Sequence, residues 1–142
     1  MLIEKSASVV VFRRNGQEIE YLVLKYGIRH WDFPKGHLEG DETSIATALR
    51  ETKEETNLDV KLIEGFNDKI SYIFRSNYSE GQVIFKDVEF FLGEVPLDSI
   101  VQLSHEHSKF KWENYNDANK TLTHQNAKNI LEKANTFIVN NL

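Results

Sequence analysis

Cysteine is absent from the chain of 142 residues. That excludes disulfides, thiolate metal ligands and a cysteine nucleophile. A long apolar run is absent too. The opening stretch, MLIEKSASVVVF, carries one lysine and then an apolar segment too short to span a bilayer. It lacks the pattern of a secretory leader and reads as a first strand. Low-complexity tracts are missing, and hydrophobic and aromatic content is ordinary, so one domain over residues 1–142 with a proper core is expected. Positive charge is scarce: 17 Lys and Arg face 22 Asp and Glu, a net charge of −5. Broad binding to nucleic acid needs a basic surface, so that class is disfavoured. A small phosphorylated ligand held by a few lysines remains open. Together these features point to a cytoplasmic protein that avoids membranes and acts as a monomer.

What is present is acid at fixed spacing. Glu51, Glu54 and Glu55 stand three and four residues apart, so a helix places them on one face. Unneutralised, they repel one another. A divalent cation would relieve that repulsion, and Mg²⁺ favours a few carboxylates together with phosphate oxygens. A solvated acidic helix face is the alternative reading. Arg50 and Glu42, eight residues apart, meet as a bidentate pair if the loop before the helix bends.

Local patterns supply the frame. Ser6 to Arg13 and Ile19 to Lys25 read as strands joined at the Asn15-Gly16 turn. Trp31 and Phe33 alternate with polar neighbours, and Pro34 ends regular pairing before Lys35-Gly36. Glycine at 36 lets backbone approach a ligand. The main helix starts near Asp41 to Thr43 and runs to about Thr56, with Ile45, Ala48, Leu49 and Thr52 as its buried side and the three acids opposite. Val60 to Ile63, Lys69 to Arg75 and Gln82 to Glu94 read as strands, with a loop at Ser79-Glu80-Gly81. Ser104 to Trp112 is a loop running into a strand. His124 to Leu142 is a helix capped by Thr123, its apolar stripe formed by Ile130, Leu131, Ala134, Phe137 and Ile138. The element order suggests an α+β sandwich.

The order Gly36, five residues, Glu42, seven residues, Arg50-Glu51, two residues, Glu54-Glu55, one residue, Asn57-Leu58 resembles the signature of the Nudix hydrolases. Two positions depart: Thr52 stands where an aliphatic residue is usual, and Asn57 where glycine is. Threonine still packs through its methyl group, and asparagine suits a left-handed cap. The resemblance implies the Nudix fold, a mixed β-sheet sandwiched between α-helices. It implies metal-dependent hydrolysis of a nucleoside diphosphate linked to another group. Mg²⁺, with Mn²⁺ as substitute, would be held by the Gly36 carbonyl, Glu51, Glu54 and Glu55, with Arg50 orienting the acids.

Further segments narrow the substrate. RHWDFPKGH, IEGF at Ile63 to Phe66, Tyr72, Lys86 and LSHEH at Leu103 to His107 resemble the asymmetric diadenosine tetraphosphate hydrolases from Val9 to Trp112. The resemblance implies that His30, Lys35 and Lys86 contact a polyphosphate, that Tyr72 stacks on adenine, and that Glu106 adds a metal-holding carboxylate. His124 occupies the position of a second stacking residue. The products implied are ATP and AMP. For the proton acceptor, Glu54 is favoured, with Glu51 and Glu106 as rivals. His105 and His107 are read as locally bonded loop histidines. Competing readings are an RNA 5′-pyrophosphohydrolase or a nucleoside triphosphate pyrophosphohydrolase of the same family, and a nucleotide-sensing module without catalysis. Nucleic acid enters only through RNA 5′ ends in the first of these.

Overall fold

The computed structural model describes residues 2–75 and 81–142. Seven strands form one mixed sheet: β1 (Leu2–Asn15), β2 (Glu18–Tyr26), β3 (His30–Asp32), β4 (Lys35–His37), β5 (Lys61–Arg75), β6 (Val83–Glu94) and β7 (His107–Glu113). The spatial order is β3-β2-β1-β6-β5, with β4 also paired to β1 and β7 to β2. Among the described residues only β1 and β6 run parallel; the other pairings are antiparallel. Helix α1 (Ser44–Thr56) covers one face, and α2 (Tyr115–Thr121) and α3 (Gln125–Asn141) cover the other.

Alternation along β1 explains the two cores. Val10 and Phe12 pack with Tyr21, Val23, Ile130 and Leu131 on the α3 side, while Ala7, Val9 and Val11 pack with Leu22, Leu24 and Ala48 on the α1 side. A strand buried on both faces reads as a continuous apolar run, which is how β1 and β2 look in the sequence.

Several expected boundaries change. Val60 to Ile63 and Lys69 to Arg75 belong to one strand, β5, whose register shifts between Leu62 and Asn67. Gly65, at φ 99°, sits in that bulge and lets the backbone turn without breaking the strand. Of the loop expected at Ser79-Glu80-Gly81, Gly81 is a turn residue before β6, and Ser79 and Glu80 lie outside the described residues. Helix α2 was not expected: its sequence, YNDANKT, is polar, and only Ala118 is buried. Thr123 does not cap α3. His124 takes that position without a side-chain cap, and the Thr123 hydroxyl instead accepts from the Trp31 N–H at 2.8 Å and donates to the Arg29 carbonyl. Phe137 is only partly buried, whereas Ile130, Leu131, Ala134 and Ile138 are buried as expected.

Helix α1 also differs in its buried stripe. Ile45 is exposed and Leu49 only half-buried, while Thr47, Ala48, Thr52, Glu55 and Thr56 are buried. Glu55 follows Thr52 by three residues and Ala48 by seven, so helical periodicity puts it on the sheet side. Thr43 is the N-cap, its hydroxyl accepting from the Ala46 N–H at 3.1 Å. Asn57 ends the helix at φ 62°, ψ 18°, the left-handed conformation.

Asn57→Ala should therefore destabilise the protein by about 1 kcal/mol, whereas Asn57→Gly should stay within about half that of the parent. Urea denaturation midpoints of the three proteins check this.

Candidate functional site

The turn and helix of residues 36–57 are assembled around one guanidinium. Arg50 Nε and Nη2 donate to Glu42 at 2.8 and 2.9 Å, the bidentate pair expected from the sequence. Nη1 donates to Glu51 at 3.0 Å and Glu54 at 3.2 Å, and Nη2 also reaches the His37 carbonyl at 3.1 Å. Glu42 in turn accepts from the Glu39 N–H and the Thr47 hydroxyl, closing the loop onto α1. The Arg50 hydrogen bonds, with that of Glu39, hold the Glu42 carboxyl down at about 2, and the same acids push the guanidinium still higher.

Gly36 lies directly against Glu51: a Cβ there would overlap the Glu51 carboxylate. Only glycine permits this seat, a physical reason for its place in the motif. Burial raises the Glu51 carboxyl, and the charges of Glu54 and Glu106 add to that; Arg50 opposes them. Glu54 is more than half exposed, so its carboxylate reaches solvent from the same helix.

Glu55 is the departure from expectation. Its carboxylate is enclosed, accepting from the Lys35 N–H at 3.0 Å and meeting the Tyr26 hydroxyl at 3.0 Å and His107 Nε2 at 2.8 Å. Burial pushes its pKa up to about 7, against the lowering effect of His107. His107 is a buried residue of β7, with Nδ1 at 3.2 Å from the Lys25 carbonyl. That carbonyl can only accept, so Nδ1 carries a proton. The Nε2 contact with Glu55 then needs one more proton on the pair. The sequence alone presents His107 as a loop histidine and does not distinguish Tyr26; the structure puts both against Glu55. A histidine that alternates into a strand beside a motif acid was the available signal.

Glu55, Glu106 and His107 each present a ligand atom within 4.8 Å of one another. Glu106 itself is exposed and faces the α1 acids across a cavity of about 690 Å³ lined by Gly36, Glu51, Glu54, Glu55 and Lys35. One buried and one half-buried acid held above their ordinary range, Glu55 and Glu51, beside further carboxylates and one glycine, are what a divalent cation would neutralise, so the residues fit such an ion.

A second cavity, about 340 Å³, opens next to the first. Tyr72, Ile70, Val88 and Phe90 form one wall and His124 to Ala127 another. Lys35 lines both cavities. Its ammonium sits 2.8 Å from Asp32, a buried acid that sequence reading overlooked. Burial would lower the Lys35 pKa, but Asp32 outweighs it and the net shift is upward. Asp32 is also 3.5 Å from His30 Nε2 and accepts from the Phe33 N–H. The His30 ring lies 4.7 Å from that of His124, so these two candidates stand together, His124 lining the second cavity. Lys86 pairs with Tyr72 across the β5–β6 ladder and lines neither cavity. Burial lowers its pKa, and the charge of Lys35 lowers it further, which places the two cations within each other's field. The geometry thus joins an acidic chamber to an aromatic one at Lys35.

A family model described as NUDIX domain matches residues 3–134. The pig bis(5′-nucleosyl)-tetraphosphatase (asymmetrical) is 32% identical, over 94% of this chain and 95% of the relative. The enzyme of that description from Caenorhabditis elegans is also 32% identical, over 96% and 98%. Among solved structures, a binary complex of the C. elegans Ap4A hydrolase superposes with a TM-score of 0.85 at 31% identity, covering 96% of this chain and 98% of that one. No helix among the described residues is long and apolar enough to cross a membrane.

For metal-free protein the sign of the Glu55 effect is fixed. Its folded pKa, about 7, lies above the ordinary 4.5, so the folded state binds the extra proton between those values. Stability should fall as pH rises from about 4.5 to about 7 and then level off. Glu55→Gln should remove that part of the slope. Urea unfolding in chelator across pH 5 to 8 measures both, and parallel slopes in the two proteins would refute the assignment.

Proposed function

The chain belongs to the NUDIX domain family, and from that premise we propose that it hydrolyses dinucleoside polyphosphates, with diadenosine tetraphosphate cleaved asymmetrically to ATP and AMP. The observation that carries this reading is the junction at Lys35, where a carboxylate chamber meets an aromatic pocket. A substrate with an anionic middle and a flat base at its end fits that pair of spaces. The names of the relatives agree with it. The reading takes residues 1–142 as one domain that acts as a cytoplasmic monomer.

Nudix hydrolases use divalent metal ions, and Mg²⁺ is the ion proposed here, with Mn²⁺ as substitute. Glu51, Glu54, Glu55, Glu106 and the Gly36 carbonyl would hold it, and when bound it supplies charge neutralisation and an acidified water. Glu55 would join this set as the carboxylate that His107 and Tyr26 hold in place. Arg50 keeps Glu51 and Glu54 aimed into the chamber through its bonds to both. Glu54 is proposed as the group that takes the proton as water attacks phosphorus, since its carboxylate is the exposed one of the α1 triad. The bond from that phosphorus to the leaving phosphate oxygen breaks, and no covalent enzyme intermediate forms. Lys35, Lys86 and His30 would bind the phosphate chain, with the lysines stabilising the charge that develops on the departing group. Tyr72 and His124, on facing walls of the second pocket, would sandwich adenine.

Incubation with diadenosine tetraphosphate in ¹⁸O-labelled water, first with Mg²⁺ and then with chelator, tests the reaction. ATP and labelled AMP, formed only with the metal, are expected; two ADP molecules, or no turnover, would overturn the reading. Glu54→Gln should lower kcat at least about 100-fold while leaving the far-ultraviolet spectrum unchanged. Lys86→Met should raise KM about tenfold, and an unaltered kcat/KM would remove that contact.

A further inference from the structure

Beyond Tyr72, the wall of the aromatic pocket continues along the sheet. Strand alternation puts Ile70, Tyr72 and Phe74 on one face of β5. Their partners on β6 are Val88, Lys86 and Ile84, and those of Lys86 and Ile84 on β1 are Glu4 and Leu2. Phe74, Ile84 and Leu2 therefore form a row across three strands, one step past the row of Tyr72, Lys86 and Glu4. The Phe74 ring lies 6.0 Å from that of Tyr72, tilted by 35°. Phe74 and Leu2 are 37% and 44% exposed on either side of Ile84, itself buried at 4%, so the apolar shelf is open at its two ends. Ile3, Phe85 and Ile73 sit on the reverse side of the same strands, away from the pocket.

An exposed aromatic ring beside a half-buried cation, continuous with a pocket for one base, has the makings of a site for another. We propose that Phe74, backed by Ile84 and Leu2, is a stacking platform for the second nucleoside of the substrate. This inference rests on the function proposed above and deepens it. With one base between Tyr72 and His124, the phosphate chain passes Lys35 and Lys86. Lys86 is a diagonal cross-strand neighbour of Phe74, a separation of about 7 Å. The chain can therefore turn over Lys86 and lay its far base on the Phe74 ring. Such a platform selects for substrates with nucleosides at both ends over nucleotides with one. It does so without touching the phosphorus under attack, so its effect falls on KM.

The test compares diadenosine tetraphosphate with adenosine 5′-tetraphosphate, which has the same phosphate count and lacks the second nucleoside. Steady-state kinetics in Mg²⁺ would use the parent, Phe74→Ala and Phe74→Trp. Phe74→Ala should raise KM for the dinucleotide about five- to tenfold, a typical loss for one base–aromatic stack. Its kcat, and its KM for adenosine 5′-tetraphosphate, should stay within about twofold, and Phe74→Trp should restore dinucleotide KM. An equal rise for both substrates, or no rise on an active parent, would remove the platform and leave the proposed function standing. A parent without dinucleotide turnover would remove both. Sedimentation supplies a control: self-association abolished by Phe74→Ala would mean that a second copy covers the shelf, and would overturn the inference.

Discussion

Mutual repulsion among carboxylates is the constraint on which this structure turns. Glu51 and Glu54 share one helix face, and Glu106 confronts them from the loop before β7. Without compensation such a cluster opposes helix formation and drives the acids into solvent. Arg50 prevents this by spending every donor on acids or carbonyls of the same motif. Its planar fork fits Glu42 edge on, which a lysine could not reproduce. The fork also ties the loop at residues 39–42 to the second turn of α1. One side chain thereby sets both the entry to the helix and the aim of the acids it carries.

Glu55 meets the same repulsion in another way. It leaves the exposed face and takes its neutralisation from a proton, shared with a buried histidine and braced by Tyr26 and the Lys35 N–H. The two solutions differ in reversibility. Arg50 never loses its charge, whereas the Glu55 carboxyl, raised by burial to about 7, changes its charge near neutral pH. The acid cluster is thus held together by the protein's own groups, Arg50 on the exposed side and His107, Tyr26 and the Lys35 N–H on the buried side.

The two cavities are coupled through Asp32 and Lys35. Asp32 is buried, and Lys35 spans the wall between the chambers. The ion pair fixes the ammonium where the aromatic pocket meets the acids. Its stability follows from hydrogen bonding by His30, Lys35 and the Phe33 N–H, which together overcome the burial that would otherwise raise the Asp32 pKa. The mixed sheet supplies the rigidity. Lys35, Tyr72 and Lys86 all lie on paired strands, so their spacing is set by ladder geometry.

Much of this was legible without coordinates. The spacing of Gly36, Glu42, Arg50, Glu51 and Glu54 encodes contacts within one turn and one helix, and local periodicity is enough to read them. The Arg50–Glu42 pair and the left-handed Asn57 are of that kind, as are β1, β2 and α3. Contacts between distant segments were not legible. Burial of Glu55 depends on β2 and β7, and the proton on His107 depends on a carbonyl 82 residues away. The Asp32–Lys35 pair is three residues apart in sequence, yet its worth comes from burial that no local pattern reports. Helix α2 was hidden because its seven residues bury only one alanine. The sequence by itself determined the acid face and the guanidinium that orders it, because both are properties of one helix and its leading loop. The tertiary structure alone decided which acid is desolvated and which lysine bridges the chambers. Desolvation and cavity shape arise only when separate strands close around a side chain.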